Sequence, residues 1–183
     1  MTNLFDAKSA KAKAKNYTAH DIEVLEGLEP VRLRPGMYIG GVDKNALHHL
    51  VNEIFDNSMD EVIASYASEI KISVNKDGSI TISDNGRGIP IDPHPKFPEK
   101  SALEIILTTL HSGGKFNNKT YQTSAGLHGV GLSVVNALSS KLLVQVVRNK
   151  KLFQQEYSQG APLGPIHPGK NTEKIAHGTI IHF

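Results

Sequence analysis

The sequence predicts an α+β fold: an α/β sandwich in which helices cover one face of a mixed, mostly antiparallel sheet. Three observations carry this expectation. One long stretch, 45–67, repeats apolar residues at helical spacing. Two short runs after it, Ile70–Val74 and Ser79–Ser83, alternate apolar and polar residues across a tight turn. The remainder interleaves short helical patterns with further alternating runs, with no internal repeat and no linker long enough to divide the chain. One domain of 183 residues is large enough to bury a real core.

Taken in order, residues 1–18 read as a flexible arm. Lys8, Lys11, Lys13 and Lys15 are interleaved with alanine and serine, which suits either a solvated tail or a basic arm touching DNA. Residues 19–183 form the folded unit. Ile22, Leu25 and Leu28 are three apart and predict a short helix over 21–28, stopped by Arg34-Pro35-Gly36. Leu47, Leu50, Val51, Ile54, Phe55, Met59, Val62, Ile63 and Tyr66 fit the i, i+3, i+4, i+7 pattern of an amphipathic helix. The alternating runs around Asn75-Lys-Asp-Gly78 predict a β-hairpin. Ser101 and Glu104 form a capping-box pattern and predict a helix to Leu110. A glycine-rich stretch follows, then a short helix over 130–139 and strands over 142–147, 152–157 and 179–183. The chain stops inside the last of these, as expected of a piece of a longer protein.

Composition excludes several chemistries. With no cysteine there is no disulfide, thiolate zinc site or cysteine nucleophile, which fits a cytoplasmic protein. No apolar run approaches the roughly 20 residues of a membrane span. The first residues lack the apolar stretch of a secretory signal. A net charge of +2 is too small to mark the folded part as a nucleic-acid binder by itself.

The polar face of the long helix is unusual. It carries Glu53, Asp56, Asp60 and Glu61, and no lysine or arginine stands between residues 46 and 67. Glu53, Asn57 and Glu61 are four apart and share a stripe, where like charges repel. Two readings stand: a solvated acidic face, or an oxygen-lined face awaiting magnesium, which keeps waters and substrate phosphates as ligands. His49 and Glu53 are also four apart, but no third transition-metal ligand is evident.

Two glycine motifs follow. Asp84-Asn-Gly-Arg-Gly-Ile-Pro90 lies directly after a strand. It is either an ordinary turn or a place where glycines let a flat ring approach the backbone while Asp84 accepts from an exocyclic amine. The second runs from Ser112-Gly-Gly-Lys-Phe116 to Ala125-Gly-Leu-His-Gly-Val-Gly131 and opens a helix, the arrangement of an anion site. Its spacing, Gly126-x-x-Gly129-x-Gly131, matches neither the dinucleotide fingerprint nor a Walker loop. A flexible loop without a ligand is the other reading.

Together these motifs are far more specific than each alone. Glu53-Ile-Phe-Asp-Asn57, Asp84-x-Gly-x-Gly88, Gly126-x-x-Gly-x-Gly131 and Gly178-Thr179 resemble the four nucleotide-binding motifs of the GHKL ATPases, whose members include gyrase, sensor histidine kinases and chaperones. Glu29-Pro-Val-Arg-Leu-Arg-Pro-Gly-Met-Tyr-Ile-Gly40, Leu110-His-Ser-Gly-Gly-Lys-Phe116 and Gly126 to Ser139 narrow the resemblance to the ATPase subunits of type IIA DNA topoisomerases, over about residues 17–183. Asp92-Pro-His-Pro-Lys-Phe-Pro98 and Leu107-Thr-Thr-Leu-His-Ser-Gly113 look more like the topoisomerase IV branch than the gyrase branch. The alternatives are a gyrase B subunit, a GHKL kinase or chaperone, and a non-enzymatic module using the same pocket.

The resemblance implies a Bergerat-type fold that binds ATP and Mg2+. Glu53 would be the general base and Asn57 the magnesium ligand. Asp84 would accept the adenine amino group with support from Thr179, and Gly86, Gly88, Ile89 and Pro90 would shape the adenine pocket. Lys115, Tyr121, Gly126, Leu127, His128, Gly129, Val130 and Gly131 would close over the phosphates as a lid, with Ala125 standing where the family often has a further glycine. Arg87 and Arg148 match the rim where aminocoumarin inhibitors bind. Tyr17 would reach into a partner protomer's site on ATP-driven homodimerisation, with Tyr38 at the same interface. The implied partners are DNA, through the full enzyme, and the A subunit of topoisomerase IV. A lysine from a following transducer domain would contact the γ-phosphate, so this stretch alone should bind ATP and hydrolyse it slowly.

Overall fold

A computed structural model of the protein describes residues 18–113, 129–171 and 175–183. The long helix, α3 (Lys44–Ile63), is capped by Asp43, whose carboxylate accepts from the Ala46 amide at 3.0 Å. Ala46, Leu50, Ile54 and Ser58 recur every four residues and are its buried stripe. It ends at Ile63, short of the expected 67. Ser65 takes a left-handed φ of 61°, and the Tyr66 and Ala67 amides turn back to the Glu61 carbonyl at 2.8 and 3.0 Å.

The N-terminal expectation needs correction. Residues 22–28 are not helical. A 3-10 turn (Ala19–Asp21) precedes them, and the helices are α1 (Glu29–Leu33) and α2 (Gly36–Ile39). Gly27, at φ 61°, interrupts the earlier segment. Pro30 lies in the first turn of α1, and the stop expected at 34–36 falls at the end of this helix, whose C-cap is Arg34; Pro35, at φ −58°, then also precedes α2.

The predicted hairpin is β1 (Ile70–Val74) and β2 (Ile80–Asp84), joined through Gly78 at φ 87°. The expected helix after residue 101 is α4 (Ala102–Thr108), and Ser101 caps it by accepting from the Glu104 amide at 3.0 Å. The glycine-rich stretch leads to α5 (Gly131–Leu138), then to β5 (Leu142–Arg148), β6 (Lys151–Ser158) and β9 (Gly178–His182). Four short strands were not anticipated: β3 (Pro93–His94) pairs with β4 (Phe97–Ser101), while β7 (Ala161–Pro162) and β8 (His167–Gly169) both lie along β6. Each holds only a few residues and carries proline, which suits strand edges but leaves no alternation to read.

The main sheet has seven strands in the order β1-β2-β9-β5-β6, with β7 and β8 on β6. Every pairing among the described residues is antiparallel. Register sets Ile82, Ile181, Val144 and Gln155 side by side, all buried. The next inward row is Asp84, Thr179 and Val146. Since strand residues alternate faces, Asp84 shares the core-facing side with Ile82. The opposite face carries polar pairs such as Thr81–His182 at 2.9 Å and Gln145–Gln154 at 3.0 Å. Ile54, Leu103, Leu107, Val134 and Val135 from α3, α4 and α5 complete one core with Val31 of α1. Gln155 lies inside it fully satisfied, donating to Glu104 Oε2 and the Gly164 carbonyl and accepting from Tyr157. Burial, followed by the nearby Glu104 charge, raises the pKa of the Tyr157 hydroxyl well above its ordinary value.

Candidate functional site

The site lies where α3 crosses the ends of β2 and β9. Asp84 is the last residue of β2, and strand alternation turns its side chain towards α3. Its Oδ2 accepts from the Ser58 hydroxyl at 3.0 Å and its Oδ1 from the Gly86 amide at 2.9 Å. Desolvation raises its pKa, and these two hydrogen bonds partly counter the effect. A half-buried carboxylate ending a strand is a poised acceptor, and two short bonds hold it in one orientation.

The loop after Asp84 passes through spaces that admit no side chain. A Cβ on Gly86 would stand 2.8 Å from Glu61 Oε2 and 2.9 Å from Asp84 Oδ1. Gly88 has φ +74°, and a Cβ there would stand 2.9 Å from the Val147 carbonyl. Across the sheet, a Cβ on Gly178 would overlap the Asp84 carbonyl. Backbone atoms leave no room for a Cβ at Gly88 and Gly178, and the Glu61 and Asp84 side chains leave none at Gly86.

Successive peptides of this loop are held from outside. Arg87 donates its amide to Glu61 Oε2 at 2.9 Å, and its guanidinium contacts both Glu61 oxygens at 2.6 and 3.1 Å. That guanidinium also lies 3.7 Å from the centre of the Tyr66 ring. Arg148 donates to the Gly88 carbonyl at 3.1 Å, and the Ile89 amide to Thr179 Oγ1 at 3.3 Å. His177, just before Gly178, places Nδ1 2.6 Å from the Gly86 carbonyl.

Further along α3, Glu53 packs against the first residue of α5: a Cβ on Gly131 would overlap Glu53 Oε2. Asn57, one turn on, donates Nδ2 to the Glu53 carbonyl at 2.7 Å. The acidic stripe is thus not one solvated face. Glu61 is bound to Arg87 and Asp60 is fully buried, while Glu53 stands at the start of α5 with Asn57 hydrogen-bonded to its carbonyl. Among the described residues no group of three or more histidine or carboxylate side chains could hold a metal unaided.

A family model described as histidine kinase-, DNA gyrase B- and HSP90-like ATPase matches residues 42–182, which holds all of this geometry. The chain belongs to this family of ATPases. As a member, it has an ATP-binding fold, and the antiparallel sheet with its helices agrees with that. The chain is similar to proteins named as the B subunit of DNA topoisomerase 4. One from Rickettsia felis is 59% identical over all of this chain and 28% of its own length. Another from Caulobacter vibrioides is 56% identical over 97% of this chain and 25% of its own. The DNA gyrase B subunit of Thermotoga maritima is 53% identical over 92% of this chain and 26% of its own. The chain thus spans about a quarter of the length of these curated relatives. Among solved structures, the 43K ATPase domain of Thermus thermophilus gyrase B in complex with an aminocoumarin is 42% identical, with a TM-score of 0.71 over 85% of this chain and 38% of that one.

Of the expected site residues, the structure places Glu53 beside Gly131, Asp84 beside Gly86 and Thr179, Arg87 on Glu61, and Arg148 on the Gly88 carbonyl. Pro90 follows on the exposed side, and Gly129 and Val130 lead into α5. Tyr17, Lys115, Tyr121, Gly126, Leu127 and His128 lie outside the described residues. Sequence reasoning missed Ser58, Glu61 as the partner of Arg87, and His177. Ser58 was legible as the fourth member of the Ala46–Leu50–Ile54 stripe, a polar residue where an apolar one belongs. His177 gave no signal beyond its place before Gly178-Thr179. No helix among the described residues is long and apolar enough to cross a membrane.

Proposed function

We propose that the chain is the ATP-binding portion of a DNA topoisomerase IV B subunit, and that the Asp84 side of the site holds adenine while the Glu53 side holds the phosphates. The doubly hydrogen-bonded carboxylate of Asp84, at the end of β2 beside Gly86 and Thr179, carries this reading. Asp84 accepts the purine amino group, supported by Thr179, with Gly86, Gly88, Ile89 and Pro90 as walls. Glu53 orients and deprotonates the water that attacks the γ-phosphate. The amides of Gly129, Val130 and Gly131 face the phosphates, joined by Lys115, Tyr121 and Gly126 to His128 as a lid.

Magnesium fits this site. Asn57, assisted by Glu53, would supply oxygen donors to an ion that keeps waters and substrate phosphates as its other ligands. Bound there through Asn57, it would offset phosphate charge. In the whole protein, ATP binding would bring two copies together, with Tyr17 and Tyr38 at their contact. It would drive the passage of one DNA duplex through another, together with the A subunit of topoisomerase IV, in the cytoplasm. Arg87 and Arg148 would line an aminocoumarin site. Residues 1–18 would be an arm ordered by dimerisation, and residues 19–183 an ATP-binding domain ahead of a transducer domain that supplies a γ-phosphate lysine. Several relatives named as topoisomerase 4 B subunits, at 56–60% identity, support this branch over gyrase.

Calorimetric titration of a non-hydrolysable ATP analogue with magnesium tests the reading. Wild type should bind, and Asp84→Asn should lose most of the affinity. Equal binding by both proteins would move the adenine elsewhere.

A further inference from the structure

The peptide joining Gly86 to Arg87 is clamped at both ends. Its N–H donates to Glu61 Oε2 at 2.9 Å, and its carbonyl lies 2.6 Å from His177 Nδ1. A carbonyl only accepts, so Nδ1 carries the proton in this contact. The neighbouring Asn85–Gly86 peptide donates its N–H to Asp84 Oδ1. His177 is itself well anchored, because Gly178 packs against the Asp84 backbone and Thr179 pairs with Asp84 across the strands. A closed ring of contacts therefore runs from Asp84 through Gly86 to His177 and back through the β2–β9 pairing. Only one link in it, the His177 ring, is a side chain from an exposed residue with no part in the core.

We propose that His177 is a positioning residue for base recognition: by holding the Gly86 carbonyl it fixes the loop that orients Asp84, and so sets the preference for purine nucleotides bearing a 6-amino group over those bearing a 6-oxo group. This rests on the adenine reading of Asp84 given above. The physical reason is that Gly86 has no side chain to restrain it. Without His177, the Gly86–Arg87 peptide keeps only its N–H end fixed and can tilt, carrying the amide that holds Asp84 Oδ1. A carboxylate free to rotate discriminates less sharply between a donor and an acceptor at the purine 6-position.

The test is calorimetric titration of non-hydrolysable analogues of ATP and of inosine triphosphate into wild type, His177→Ala, His177→Asn and Asp84→Asn. Asparagine puts an amide N–H near the place of Nδ1, so it serves as the rescue variant. His177→Ala should cut the adenine preference about 5- to 10-fold by weakening the ATP analogue alone, the loss of one hydrogen bond. His177→Asn should restore it. An alanine variant that keeps the full preference, or that weakens both nucleotides equally, overturns the proposal, as does failure of asparagine to rescue. Asp84→Asn separates the two levels. If it leaves the preference intact, the adenine reading fails and this inference with it. If it abolishes the preference while His177→Ala does not, this inference alone fails.

Discussion

Replacing Gly178 by alanine should damage the protein more than any other single-methyl addition near the site. Gly178 opens β9 at φ +144°, a conformation that costs an L-residue about 1–3 kcal/mol. The added Cβ would overlap the Asp84 carbonyl oxygen and stand 3.2 Å from the Asp84 carbonyl carbon and Asn85 Cα. These are backbone atoms of a paired strand, so relief requires β2 and β9 to separate where Asp84 faces Thr179. Overpacking of that kind costs a further ~1–3 kcal/mol. The total, about 2–6 kcal/mol, is a large share of the roughly 5–15 kcal/mol that holds a domain folded. At about 2–4 °C per kcal/mol for a chain of this size, Tm should fall by roughly 4–24 °C. Thermal melting followed by circular dichroism would measure it, with Gly164→Ala as the control. Gly164 has no positive φ and open space around its Cβ position, so that variant should melt within about 2 °C of wild type. If the two variants melt alike, the close-approach argument for the glycines around Asp84 is wrong.

Gly131→Ala should behave differently. The Cβ would meet a Glu53 side chain, which can swing, and alanine favours helix over glycine by about 1 kcal/mol. Chemical denaturation should show stability within about 1 kcal/mol of wild type, while, if Glu53 is the proposed base, single-turnover ATP hydrolysis by the full-length protein drops about tenfold or more through its displacement. Arg87→Ala would leave Glu61 with its carboxylate half-enclosed; its side chain is 12% exposed and that of Arg87 34%. A loss of about 1–3 kcal/mol is expected, and in a double-mutant cycle Glu61→Gln should absorb most of it; additive effects would refute the coupling. Asp84 predicts a pH dependence. Its folded pKa is raised, so the penalty for the desolvated charge is present above that pKa and is relieved as pH falls through it towards 3.8, the ordinary value. ATP-analogue affinity has the opposite sense, full above the raised pKa and declining as Asp84 protonates. Calorimetry across the acidic range should show the decline, and Asp84→Asn should remove it.

Much of the fold was legible because its strongest elements advertise their period. The amphipathic pattern of α3, the hairpin around Gly78 and the alternation in β5 and β6 each encode one buried face locally. The failures were local as well. The helix expected over 21–28 lies instead at Glu29–Leu33, and Pro35 both follows that helix and precedes α2, since the same fixed φ suits a turn and a first helical turn. The short strands β3, β7 and β8 hold too few residues for any period to show.

The site divides along the same line. Glu53, Asn57, Asp84, the loop glycines and Thr179 stand at spacings that the sequence displays, because one helix, one strand end and one loop each carry their part in consecutive residues. By itself the sequence determined which residue types occupy those places and that they match an ATPase pattern. It could not determine which partners they take. Glu61 meets Arg87 26 residues later, Ser58 meets Asp84 across the same interval, and His177 reaches Gly86 91 residues away. Those pairings depend on how β9 is inserted between β2 and β5 and on where α3 crosses the sheet. Only the tertiary structure decides them, because a hydrogen bond between distant residues leaves no periodic trace in the chain that makes it.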